Sequence, residues 1–126
     1  MKILAVSNDA QAVRQLADCL CVVFPQNAVL EYRDPLLAVK YCMNHPEEIE
    51  LVFTEILLEP MDGFQMAECI QQVVPNGVTI FYTVQSEDRE LLSLVRLRGG
   101  AACIPKPVTD EKIRKAVEGL SSPYLV

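Results

Sequence analysis

Basic residues are in the minority here: 11 lysines and arginines stand against 17 acidic residues in 126, a formal charge of −6. That balance leaves no electrostatic footprint for nucleic acid or anionic membrane, so this domain is not expected to touch DNA directly. No apolar run approaches the roughly 18 residues of a membrane span, and the opening MKILAV is too short for a signal peptide, so the expected location is the cytoplasm. Histidine occurs once, at His45, and the five cysteines (Cys19, Cys21, Cys42, Cys69, Cys103) are scattered without C-x-x-C spacing. Such a set argues against a disulfide frame or a zinc site and reads as reduced thiols. Repeats, low-complexity tracts and internal linkers are also missing. The length suits one domain with a single sizeable core, expected over residues 1–121, with 122–126 as a tail or the start of a linker.

What is present alternates from end to end. Short apolar runs of strand length (Ile3–Val6, Ala28–Arg33, Leu51–Thr54, Val78–Thr83, Ala101–Ile104) are separated by segments with apolar residues three and four apart. The runs lack strict alternation, as strands covered on both faces do. Val13, Leu16, Ala17, Leu20, Val23 and Phe24 line one helix ending before Pro25. Asp34-Pro35 opens a second through about Met43, and a third carries Phe64, Ala67, Ile70, Gln71 and Val74. Ser86 is expected to cap a fourth that ends at Gly99-Gly100, and Thr109 a fifth with the stripe Ile113, Ala116, Val117 and Leu120. Right-handed crossovers turn such a (βα)5 chain into an α/β fold, a flavodoxin-like, doubly wound parallel five-stranded sheet in order 2-1-3-4-5 with helices on both faces. The functional crevice of that sheet lies outside the carboxyl ends of its strands. Ser7-Asn8-Asp9, Glu55, Thr83 and Lys106 all fall there.

Over essentially its whole length, from KILAV through LVFTEILLEPMDG and FYT to IPKPVT, the chain resembles the CheY-like receiver domains of bacterial two-component response regulators. The resemblance implies a phospho-accepting aspartate after the third strand, a pair of acids after the first that holds magnesium, and a hydroxyl and a lysine that contact the phosphate. Carried over, Thr83 is the switch hydroxyl, Lys106 the lysine, Cys103 stands in the place of the switch aromatic, and Lys106–Pro107 is the candidate cis peptide. Glu55 takes the acceptor's position. Ser7 and Asn8 replace the two acids, with an acid only at Asp9. Asp9, Asn8 and Glu55 are thus the candidate metal ligands, and a weak set, because magnesium asks for charged oxygen ligands. Asp9 is equally placed to cap the first helix.

Without the metal, phosphoryl transfer loses its main charge-neutralising element, and the extra methylene of glutamate displaces the carboxylate by about 1 Å. Glutamate nevertheless puts a permanent charge close to Thr83 and Lys106, part of what a phosphoryl group of about −1.5 to −2 presents. The expected function is a non-enzymatic receiver module, phosphorylation-independent or weakly phosphorylated, without an obligatory cofactor. The alternative is a conventional magnesium-dependent phospho-acceptor using Asp9 and Glu55 and controlling a DNA-binding output domain. A flavin binder would need a hydroxyl- and glycine-rich loop after the first strand, which VSNDAQAV lacks. The fourth helix has more apolar residues than one buried stripe needs, so Leu91, Leu92 and Val95 are interface candidates. The partner implied is a protein, a sensor histidine kinase or an output domain, with a homodimer through helix four, strand five and helix five as a further possibility.

Overall fold

The computed structural model describes residues 1–121; the tail expected at 122–126 lies outside them. Five strands, β1 (Lys2–Val6), β2 (Ala28–Tyr32), β3 (Ile49–Glu55), β4 (Thr79–Val84) and β5 (Ala102–Pro105), alternate with five helices. The helices are α1 (Ala10–Val23), α2 (Pro35–Asn44), α3 (Gly63–Val73), α4 (Arg89–Leu97) and α5 (Asp110–Ser121). All strand pairs are parallel and the order is β2-β1-β3-β4-β5, as the alternation predicts.

Successive residues of a strand point to opposite faces, and the core divides accordingly. Ile3, Ala5, Phe53, Phe81 and Ile104 face α1 and α5, meeting Val13, Leu16, Leu20 and Ile113. Leu4, Val6, Val52, Ile80 and Tyr82 face α2, α3 and α4, meeting Ala38, Phe64, Met66, Ile70 and Val95. Phe53 and Phe81 are register neighbours on β3 and β4, and their rings stack with centroids 4.6 Å apart. The sheet therefore carries an apolar layer on each side, and polar groups are left to its ends.

Several boundaries differ from expectation. β3 runs on through Glu55, which pairs with Thr83 in register, so the carboxylate is borne by the strand itself and not by the loop after it. The α4 cap is Asp88, whose Oδ1 accepts the Leu91 N–H at 2.7 Å; Ser86 lies two residues too early to reach it. α3 is opened by a capping box of Asp62 and Gln65 within a segment that reads from sequence as a simple turn. Pro105 sits on the edge strand, where its missing donor is tolerated, and Lys106–Pro107 is cis, as is Glu59–Pro60.

The interface candidates also need correction. Val95 is 1% exposed and packs on the sheet, where a Cβ at Gly100 would lie 2.5 Å from its Cγ1 and 2.8 Å from the Tyr82 ring. Leu91 and Leu92 are half-buried against the same cluster. Leu94 and Leu97, at 41% and 83% exposure, make up the outward stripe. The spacing explains the division, since residues 91, 92 and 95 share one helical face and 94 and 97 the next. Val95→Ala is expected to lower stability in urea denaturation by about 2 kcal/mol, and Leu97→Ala by less than about 0.5 kcal/mol.

Candidate functional site

The site is assembled from strand ends. β1, β3 and β4 finish side by side at the carboxyl edge of the sheet, with β5 next to β4, and each delivers its polar residue there. Glu55 is the centre. One carboxylate oxygen accepts a hydrogen bond from the Ser7 hydroxyl, and the other is ion-paired with the Lys106 ammonium. The side chains of Lys106 and Glu55 are 27% and 19% exposed, so the pair is partly withdrawn from water and screened less than a surface pair. Ser7 is 1% exposed, and its Oγ also accepts the Asp9 N–H at 3.2 Å, which orients the hydroxyl toward Glu55. Lys112 of α5 donates to the carbonyls of Pro105 (3.2 Å) and Pro107 (2.9 Å), bracing the segment that carries Lys106. Sequence reading missed that brace, because a lysine on an amphipathic helix looks like any solvated one.

Thr83 is placed beside this pair without joining it. Its residue exposure is 4%, and its hydroxyl has no hydrogen-bond partner among the described residues. The Glu55 carboxylate thus bonds Lys106 but not Thr83, its register neighbour on β4. A cavity of about 350 Å³ opens beside them, lined by Gln15, Leu16, Glu55, Thr83, Gln85 and Lys106. A second, of about 310 Å³, lies on the other side of Glu55 toward Leu57 and Leu91. Cys103, in β5, is buried and packs with Tyr82 and Val95; burial pushes its thiol above the ordinary range.

The candidate metal ligands do not converge. The Asp9 carboxylate caps α1, accepting the Ala12 N–H at 2.7 Å. The Asn8 amide turns to backbone, donating to Arg33 O at 2.8 Å and to Glu59 O at 3.0 Å and accepting the Glu59 N–H at 2.9 Å. Both oxygens of Glu55 are already bonded. Among the described residues no three His, Cys, Asp or Glu side chains are grouped as a metal ion would require. Of the candidate set, the Glu55 carboxylate is bonded through both oxygens, the Asp9 carboxylate caps α1 and the Asn8 amide is neutral and turned to backbone, a poor fit for magnesium, which selects charged, hard oxygen ligands.

The family model of the response regulator receiver domain matches residues 3–118. Among solved structures, the chain is similar to a response regulator receiver domain protein from Clostridium thermocellum, at 18% identity and a TM-score of 0.80, covering 98% of this chain and 97% of that one. It is also similar to the chemotaxis protein CheY4 of Vibrio cholerae, at 16% identity and a TM-score of 0.79, with 94% and 97% covered. A two-component response regulator from Clostridium difficile shares 19% identity with a TM-score of 0.78, over 100% and 99% of the two chains. At these identities the likeness carries the fold alone. No curated protein matches the chain. Among the described residues, no helix is long and apolar enough to cross a membrane.

The site's geometry depends on one glycine. A Cβ at Gly63, the first residue of α3, would fall 2.2 Å from the Glu55 carbonyl oxygen. Gly63→Ala must push α3 or the end of β3 aside, and is expected to lower stability by about 2 kcal/mol in urea denaturation while shifting the Lys106 amide resonance.

Proposed function

Because the chain belongs to the response regulator receiver domain family, we propose that it is a receiver whose output surface is set without phosphorylation, Glu55 holding as a fixed charge what the family gains on demand. The observation that supports this reading is the bridge made by the Glu55 carboxylate between the Ser7 hydroxyl and the Lys106 ammonium. Lys106 already has the anionic partner that a phosphoryl group would otherwise bring. Glu55 covers only part of that group's role, with one charge against about −1.5 to −2 and two oxygens against three, and the Thr83 hydroxyl has no partner among the described residues.

The same bridge works against use of Glu55 as a nucleophile. To attack an acyl phosphate, the carboxylate must leave both donors and do so without a cation to neutralise the incoming oxygens. The Asp9 carboxylate is engaged as the cap of α1 through Oδ2, and giving up that cap costs about 1 kcal/mol in typical helices. We therefore propose a non-catalytic module that needs no cofactor and is read by a protein partner, a kinase or an output domain. The proposed contact surface is the face of α4 and β5 beside α5, with Leu94 and Leu97 as its apolar element and a second copy of the chain as an alternative occupant.

Glu55→Gln removes the charge and keeps an acceptor for Ser7. Amide shifts are expected at Lys106, Thr83 and along α4, and a spectrum unchanged beyond residue 55 and its immediate neighbours would contradict a signalling role for the charge. Intact-mass measurement of the wild-type chain after acetyl phosphate and magnesium is expected to show no added phosphoryl group. A stable adduct would restore the conventional phospho-acceptor.

A further inference from the structure

The side chain that follows Ser7 has no part in the charge bridge, yet it ties together three loops far apart in sequence. Asn8 lies between β1 and α1. Its Nδ2 donates to the carbonyl of Arg33, in the β2–α2 loop, at 2.8 Å and to that of Glu59, in the β3–α3 loop, at 3.0 Å. Its Oδ1 accepts the Glu59 N–H at 2.9 Å, and Arg33 returns a bond from Nε to the Asn8 carbonyl at 3.2 Å. A primary amide has two donor hydrogens and an acceptor oxygen, and this one uses all three functions on backbone. A carboxylate has no hydrogen to give. At this position it would set its charge against two carbonyl oxygens and keep only the Glu59 N–H.

The β3–α3 loop is the segment that leaves Glu55 and re-enters the fold at Gly63, whose N–H bonds back to Ile56 O at 2.8 Å. Between those points it holds up Leu57, 88% exposed, so apolar packing does not fix that residue's place. The Asn8 bonds to Glu59 sit in the middle of this span. We infer that Asn8 is a positioning residue, a metal-independent clasp that fixes the β3–α3 loop against the β2–α2 loop and so sets the edge of the Glu55 site. A neutral amide does by hydrogen bonding what a cation held by acids would do by coordination. The choice of amide over acid at this position then has a reason of its own, independent of the residue at 55.

Hydrogen–deuterium exchange of the full chain in excess EDTA tests the clasp, with Asn8→Asp and Asn8→Ala beside the wild type. In Asn8→Ala exchange at the Glu59 amide and across residues 56–61 is expected to rise by about tenfold or more, the factor that corresponds to about 1.4 kcal/mol; in Asn8→Asp, which keeps an acceptor for the Glu59 N–H but loses both donations to carbonyls, the rise is expected at the other amides of residues 56–61. The amides of β4 are expected to keep their protection, which separates loosening of the loop from loss of the fold. Unchanged exchange at residues 56–61 in Asn8→Asp would overturn the clasp. So would a wild-type loop that gains protection when magnesium replaces EDTA, since a cation and not the amide would then be the organiser. Should neither variant fold, the wild type still decides. Asn8 and Asn76 are both exposed, so burial does not separate them; held by its two carbonyl acceptors, the Asn8 side-chain NH₂ is expected to exchange with water more slowly than that of Asn76, and equal rates would overturn the proposal. Glu55→Gln touches none of these bonds, so the clasp and the charge bridge can fail separately.

Discussion

A carboxylate at the end of a buried strand is tolerable only when its oxygens are paired, and the Glu55 bridge to Ser7 and Lys106 meets that condition on both sides. The bridge also joins elements that the sheet keeps apart. Ser7 follows β1, Glu55 ends β3 and Lys106 follows β5, so the contact spans four of the five strand positions at one edge. The rest of the fold can be read as support for it. Apolar layers on both faces hold the strands in register, Gly63 lets α3 approach the Glu55 carbonyl, and Lys112 braces the turn that carries Lys106.

The changes around the site are coherent with one another. A receiver with aspartate at position 55 and acids at positions 7 and 8 would gather negative charge that needs a cation. Here the three positions carry one carboxylate, one hydroxyl and one amide, and the Lys106 ammonium pairs with the carboxylate. Ser7 donates where an acid would repel Glu55, and Asn8 donates to carbonyls where an acid would face them. An acid placed at position 7 or 8 alone would add an unpaired charge, which is the costly situation in a partly buried site.

Much of this was legible from residue order. The alternation of strand-length runs and amphipathic segments is enough for the sheet order, and the strand ends place Ser7, Glu55, Thr83 and Lys106 on one edge from sequence alone. What could not be read was local and depended on reach. Asp88 and Ser86 are both good caps, and only the helix start decides between them. α4 offers two competing apolar stripes, and Val95 belongs to the inner one because Gly100 leaves it room beside Tyr82. Asn8 reads as a weak metal ligand because its true partners, the backbones of Arg33 and Glu59, have no side-chain signature in a sequence.

The central claim is that the site is already set in the unmodified chain. Beryllofluoride, which mimics a bound phosphoryl group and needs magnesium and an open carboxylate, probes it most directly. Titrated together into the wild-type protein and followed by amide shifts, the two are expected to leave Thr83, Lys106 and α4 unmoved. Saturable shifts at those residues would show a site still waiting for its phosphoryl group and would contradict the account.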